Sequence, residues 1–226
     1  MQHSGARFEV KFTGRGTSLT AIERWIRAHS AGFRSPYPPR TVNSAYFDTY
    51  GLGALEENLI GASAREKLRL RWYGRSSADD RSTLEVKLRK NKLGWKISYP
   101  LSVIPRPETS WRALQAQVRA QLPREARFRM EANPLVSLVN RYDRKYFVSG
   151  NGLVRLTLDT RLEAFDQRFG RRPRFDRPVQ LPNLLVVEFK FSPENRDCAR
   201  EMIDGIPLRV SRNSKYASAR SILSAG

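Results

Sequence analysis

Lys67, Arg69 and Arg71 put positive charge at every second position of the run KLRLRWYG, and Leu68, Leu70 and Trp72 fill the places between. Successive side chains of a β-strand point to opposite faces, so this run carries one apolar face and one cationic face whose charges repeat about every 7 Å. Such a row suits a polyanion, because guanidinium groups donate paired hydrogen bonds to phosphate oxygens and do not lose their charge. The design recurs. RFEVKF (7–12) sets Arg7, Glu9 and Lys11 opposite Phe8, Val10 and Phe12, and LEVKL (84–88) sets Glu85 and Lys87 opposite Leu84, Val86 and Leu88. VRLTLD (154–159) sets Arg155, Thr157 and Asp159 against Val154, Leu156 and Leu158, and LLVVEFKF (184–191) sets Glu188 and Lys190 against Val187, Phe189 and Phe191. Like charges directly opposite one another destabilise a sheet. A mainly basic face shared by five strands therefore points to a bound anion rather than to a merely solvated surface.

Further strands are expected over residues 41–47, 93–100, 135–148 and 153–162, the last two joined by the turn Ser149-Gly150-Asn151-Gly152. Helices are expected over about 18–29, 108–121, 194–204 and 214–224, and the Pro/Arg-rich GRRPRFDRP (170–178) is expected to be a loop. About eight mostly antiparallel strands with a few helices make an α+β fold. The alternation alone is satisfied by an open sheet whose charged faces meet solvent, a common arrangement in antiparallel sheets. No internal repeat and no linker divides the chain, so one domain over residues 1–226 is expected.

Lys and Arg number 41 against 22 Asp and Glu, a formal net charge of +19. That excess sets the sign of the partner, whether nucleic acid, an acidic membrane surface or a phosphate-rich small molecule, without choosing among them. His3 and His29 are the only histidines, which disfavours a histidine-rich zinc site or a Ser-His-Asp triad. Cys198 is the only cysteine, so no disulfide within the chain is possible. The opening MQHSGARFEVKF lacks the apolar segment of a signal peptide, and no apolar run is long enough for a membrane span. A cytoplasmic location is the expectation.

The set Arg7-x-Glu9-x-Lys11, Tyr46-Phe47-Asp48, Lys67-x-Arg69-x-Arg71-Trp72-Tyr73, Glu85-x-Lys87, Tyr142-x-Arg144, Arg155-x-Thr157-x-Asp159, Glu188-x-Lys190 and Ser214-Lys215-Tyr216 resembles the VTC domain. This is the polyphosphate-polymerase branch of the CYTH-like triphosphate tunnel metalloenzymes. Each motif is weak by itself; all of them in the family's order, over roughly residues 7–216, are specific. The resemblance implies a closed antiparallel eight-stranded β-barrel with flanking helices, its charged side chains lining a triphosphate tunnel. The wider superfamily usually begins Glu-x-Glu-x-Lys. Here Arg7 replaces the first glutamate, as in the VTC branch, which favours a polymerase and disfavours two-metal hydrolysis.

What the resemblance implies for individual residues is specific. Arg69, Arg71, Lys87, Arg144, Arg155, Glu188 and Lys215 would serve catalysis, and Lys11, Lys67, Lys96, Tyr142 and Lys190 would bind phosphate. Mn²⁺ or Mg²⁺ would be held by Glu188 and Glu9, while Glu85 and Asp159 orient their basic neighbours. The implied activity is metal-dependent transfer of the terminal phosphate of a nucleoside triphosphate such as ATP to inorganic polyphosphate. A triphosphatase for inorganic or organic triphosphates and a non-catalytic polyphosphate or nucleotide sensor are the alternatives. A membrane-protein partner is left open. Nucleic acid is disfavoured, because the aromatic residues of the paired strands largely lie opposite the basic ones instead of among them.

Overall fold

The computed structural model describes residues 2–75, 80–91, 93–181, 184–211 and 214–225. The runs of alternating residues form long strands: β1 (Gln2–Arg15), β2 (Arg40–Asp48), β3 (Ala64–Tyr73), β4 (Arg81–Lys90), β5 (Leu93–Ser102), β6 (Leu135–Val148) and β7 (Arg155–Asp166). β8 (Val179–Gln180) and β10 (Arg209–Val210) are two-residue additions, and β9 (Leu184–Phe191) completes the set. Every pairing is antiparallel, in the order β1-β5-β4-β3-β2-β6-β7, and β9 bonds to both β7 and β1. That last pair of ladders closes an eight-stranded barrel. The charged faces are thereby enclosed rather than left open to solvent.

Closure needs a cover for the outward apolar faces. Leu68, Leu70 and Trp72 of β3 and Leu84 and Val86 of β4 pack outside the barrel with Trp111, Leu114 and Val118 of α3 (Trp111–Ala120) and Ala126 and Met130 of α4 (Arg124–Ala132). The spacing of four between Leu114 and Val118, and between Ala126 and Met130, keeps each pair on one helix face. Ser110 caps α3 by accepting a hydrogen bond from the Ala113 amide at 3.1 Å. Around the barrel, Ile22 and Ile26 of α1 (Leu19–Ala28) cover Phe12, Leu156, Val187 and Phe189.

The expected helices appear as α1, α3, α5 (Arg196–Ile203) and α6 (Lys215–Ala225), and residues 170–178 run as a loop. The short α2 (Gly53–Leu59) and α4 were not expected from the sequence. α6 differs from the others in its place. Its Tyr216, Ala217 and Ala219 pack with Tyr46, Leu138, Leu162, Ala164 and Val186, filling the end of the barrel where β6 and β9 start and β7 finishes.

Candidate functional site

In the rest of the barrel the inward positions of the strands carry charge. Arg69 is directly opposite Glu85, Glu85 opposite Ser98, Lys87 between Lys67 and Lys96, and Lys11 opposite Glu188. Contacts also cross between elements that are not paired in the sheet. Arg144 on β6 reaches Glu188 on β9 at 3.9 Å, and Lys215 on α6 reaches Asp159 on β7 at 2.6 Å. Arg69, Arg71, Lys87, Arg144, Glu188 and Lys215 therefore share one interior, together with Lys11, Lys67, Lys96, Tyr142, Lys190 and Glu9. Arg155 is in phase with them but stands exposed at the start of β7, opposite Lys190 in register.

Two acids hold most of the arginines. Glu85, 2% exposed, meets Arg69 at 2.6 Å, Arg71 at 3.3 Å and Lys96 at 2.8 Å. Burial pushes its pKa upward, but the three cations overcome this and hold the carboxyl well below the usual range. Asp159 receives two parallel hydrogen bonds from Arg144, at 2.6 and 2.7 Å, besides the Lys215 ammonium. Burial opposes ionisation there too, and the two cations bring it down to about 2. Arg144 also lies over the Tyr142 ring, 5.2 Å from its centroid. These pairs fix the guanidinium planes before any ligand arrives.

The lysines are less well balanced. Lys11 lies 3.8 Å from Glu9 and 3.6 Å from Glu188, and Lys190 lies 3.9 Å from Glu9 and 3.3 Å from Glu188. Among the described residues Lys67 donates to two neutral acceptors, Asn58 Oδ1 at 2.6 Å and Ser214 Oγ at 3.0 Å. Burial, and next the like charges of Lys11 and Lys87, bring the Lys67 ammonium down to about 6. On Lys87 the strongest influence is Glu9, which favours the charged form; burial and Arg69 outweigh it, and the group falls to about 7. Two positive charges about 7 Å apart repel by roughly 2 kcal/mol at an effective dielectric near 20. The interior thus has positive charge in excess, which an anion would neutralise.

Unpaired polar atoms point the same way. Among the described residues, Ser44 Oγ, Ser98 Oγ, Thr157 Oγ1, Arg71 Nε and Glu188 Oε1 are buried without a hydrogen-bond partner. Ser44 is opposite Arg71, Ser98 opposite Glu85 and Thr157 opposite Glu188, so all three hydroxyls share the charged face. Buried polar groups are normally satisfied, and such a concentration marks a place where a polar ligand completes the bonding. Sequence reasoning placed Thr157 on the charged face but gave none of these hydroxyls a role, although each is in phase with the charges. It also put the aromatics of the paired strands largely outside. Phe12, Trp72 and Phe189 are outside, whereas Tyr46 and Tyr142 are inside, buried and held by the cations.

For a metal, burial and next the nearby Glu188 carboxylate disfavour charge on Glu9, and Lys87, Lys190 and Lys11 outweigh them and hold it below its ordinary value. Burial disfavours charge on Glu188, yet Lys190, Lys11 and Lys87 hold it well below the usual carboxylate range. Its Oε1 has no hydrogen-bond partner among the described residues, with the Lys11 ammonium 3.6 Å away, and is the atom that would serve as a ligand. Among the described residues no cluster of three or more His, Cys, Asp or Glu is placed to hold a metal ion. That donor set fits Mg²⁺ or Mn²⁺ bound by one or two carboxylates, with phosphate oxygens and water supplying the remainder.

A closed barrel with an interior of this kind defines a tunnel protein, and comparison with known proteins agrees. The model of the VTC domain matches residues 6–224, and the chain belongs to that family. No curated protein sequence matches the chain. Among solved structures, the Hippeastrum protein HpAC1, described as an adenylyl cyclase candidate with a dominant triphosphatase activity, is similar in fold. It is 16% identical, with a TM-score of 0.51 over 96% of this chain and 95% of its own. PH1819 from Pyrococcus horikoshii OT3 matches at 11% identity and a TM-score of 0.46, over 97% of this chain and 99% of its own. Among the described residues no helix is long and apolar enough to cross a membrane.

Proposed function

We propose that the chain is a phosphotransferase that takes a nucleoside triphosphate such as ATP into the tunnel and passes its terminal phosphate to a polyphosphate chain. The observation that carries this reading is the enclosed excess of Lys and Arg around unpaired hydroxyls, within a chain of the VTC family. Phosphoryl transfer asks a protein for in-line placement and for neutralisation of charge on the phosphoryl oxygens. Arg69, Arg71 and Arg144 are pre-oriented by Glu85 and Asp159 to clamp those oxygens, and Lys11, Lys67, Lys87, Lys96, Lys190 and Lys215 supply the remaining positive field. Glu188 with Glu9 would hold Mn²⁺ or Mg²⁺, which when bound adds further neutralisation of phosphate charge. A polyphosphate acceptor is already anionic and needs no general base, in keeping with an interior whose carboxylates are all engaged by cations.

A triphosphatase is the second reading, favoured by α6, which fills one end of the barrel and suits a small acceptor such as water. It is also the activity described for the Hippeastrum protein of similar fold. Purified protein incubated with ATP and Mn²⁺, assayed separately for long-chain polyphosphate and for free phosphate, distinguishes the two. Polymer is the expected product. Free phosphate alone overturns the polymerase in favour of the hydrolase, and neither product makes the domain a sensor.

A further inference from the structure

Two motifs are only partly accounted for by the phosphate site, Tyr46-Phe47-Asp48 at the end of β2 and Ser214-Lys215-Tyr216 at the start of α6, of which Lys215 alone has been given a role. In the fold they meet. Tyr216 stacks on Tyr46 with centroids 4.7 Å apart and 14° between the planes, and its hydroxyl donates to Asp48 Oδ2 at 2.6 Å. Ser137 Oγ lies 3.0 Å from that same hydroxyl. β6 places Ser137 there by a bulge: Tyr46 pairs with Leu138 and Phe47 with Val136, so Ser137 has no partner across the ladder. Asp48 is fully buried and also accepts from the amides of Thr49 at 2.8 Å, Ala54 at 2.9 Å and Leu55 at 3.1 Å, thereby anchoring the start of α2.

The bracket has a second arm. Asn58, on α2, and Ser214, just before α6, both accept from the Lys67 ammonium. Lys215 follows Ser214 directly, and its carbonyl accepts from Asn140 Nδ2 at 3.0 Å while its ammonium meets Asp159. Tyr46 reaches the phosphate clamp itself, its hydroxyl 3.4 Å from Arg69 Nη1. A single carboxylate thus ties α2 and α6 together at one end, and Lys67 ties them at the other.

We propose that Asp48 and Tyr216 are positioning residues that act through α2 and α6 to place Lys67 and Lys215 for phosphate. The inference rests on the tunnel reading above, and neither side chain need touch the ligand. Asp48 gathers four donors, more than anchoring α2 requires, and the tyrosine hydroxyl it binds belongs to the residue next to a tunnel lysine. Tyr216→Phe keeps the ring stack and removes only the hydroxyl, which makes it the variant most sure to fold.

The test is calorimetric titration of the full chain with tripolyphosphate, on wild type, Tyr216→Phe, Lys215→Ala and the double variant. Tyr216→Phe should weaken binding about tenfold while lowering the melting temperature by only a few degrees. Lys215→Ala should cost at least five times less affinity in the Tyr216→Phe background than in wild type, since the lysine there is already misplaced. A merely structural tyrosine gives independent losses instead. Unchanged affinity in Tyr216→Phe, or losses that multiply, overturns the positioning role while leaving the tunnel intact. A wild type that binds no tripolyphosphate overturns the tunnel reading and this inference with it. Asp48→Asn should reproduce the affinity loss with a larger fall in melting temperature, because α2 is released as well.

Discussion

The two halves of the barrel interior obey the same alternation and hold opposite contents. In one half Glu85, Asp159, Glu9 and Glu188 stand among a larger number of lysines and arginines, with hydroxyls left unpaired. In the other, Leu138, Leu162, Ala164 and Val186 close on Tyr216, Ala217 and Ala219 of α6, and the space is filled. The apolar half is filled by its own chain. The charged half, with unpaired polar atoms and depressed lysines, is complete only with a partner that brings negative charge. Stability should therefore depend on both halves, and direct ligand contact on one, the apolar half reaching the ligand only through the Asp48–Tyr216 hydrogen bond.

The largest effect is expected from removing the acid that holds three cations. Glu85→Ala leaves Arg69, Arg71 and Lys96 without their shared carboxylate, and breaking a buried ion pair by deleting one partner costs about 3–5 kcal/mol. Chemical denaturation should show this loss, and millimolar tripolyphosphate should restore part of it by taking the place of the missing negative charge. A loss below about 1 kcal/mol would mean that water already screens the cluster.

The next pair divides the halves directly. Leu138→Ala, in the apolar half, should lower stability by about 2–5 kcal/mol through the cavity it leaves and change tripolyphosphate affinity by less than about twofold. Arg71→Ala, in the charged half, deletes a charged hydrogen bond of about 1.5–3 kcal/mol to phosphate and should weaken binding roughly 10- to 150-fold. Isothermal titration and melting curves on both proteins check the division. If Leu138→Ala lost affinity as badly as Arg71→Ala, the two halves would not be separable.

Much of this contrast was legible in the chain. The strand runs, the inward charges and the outward leucines follow from a period of two, and the motif set carried the closure of the barrel. α2 escaped because seven residues with only Leu55 buried make almost no periodic signal, and α4 because only Ala126 and Met130 face inward among charged neighbours. The two-residue strands β8 and β10 are too short to alternate. Arg155 is in phase with Thr157 and Asp159, but phase gives the face and not the depth, and its place at the first residue of β7 leaves it exposed. The filling of the far end by α6 depends on how the last helix docks, a long-range contact that no local pattern encodes.

The smallest effect, and the most specific to the charged half, is on proton binding. Folding lowers Lys67 from the ordinary lysine value of 10.5 to about 6, through burial first and then Lys11 and Lys87. Between those values the unfolded chain holds a proton that the folded chain lacks, so stability of the ligand-free protein should rise with pH from about 6 toward 10. Asp159 acts at the other extreme: its pKa of about 2 lies below the ordinary 3.8, so its contribution is present above pH 4 and lost as pH falls through 2. A triphosphate beside Lys67 returns the charge that favours the ammonium, and binding near pH 8 should take up protons and weaken as pH rises. Titrations of tripolyphosphate at pH 8 in buffers of different ionisation enthalpy read that uptake from the slope of the apparent enthalpy. Lys67→Met should reduce the slope while leaving the Asp159 acid limb of the stability curve in place. If wild type and Lys67→Met give the same slope, the proton enters elsewhere, and Lys67 is not the group through which the charged half senses its ligand.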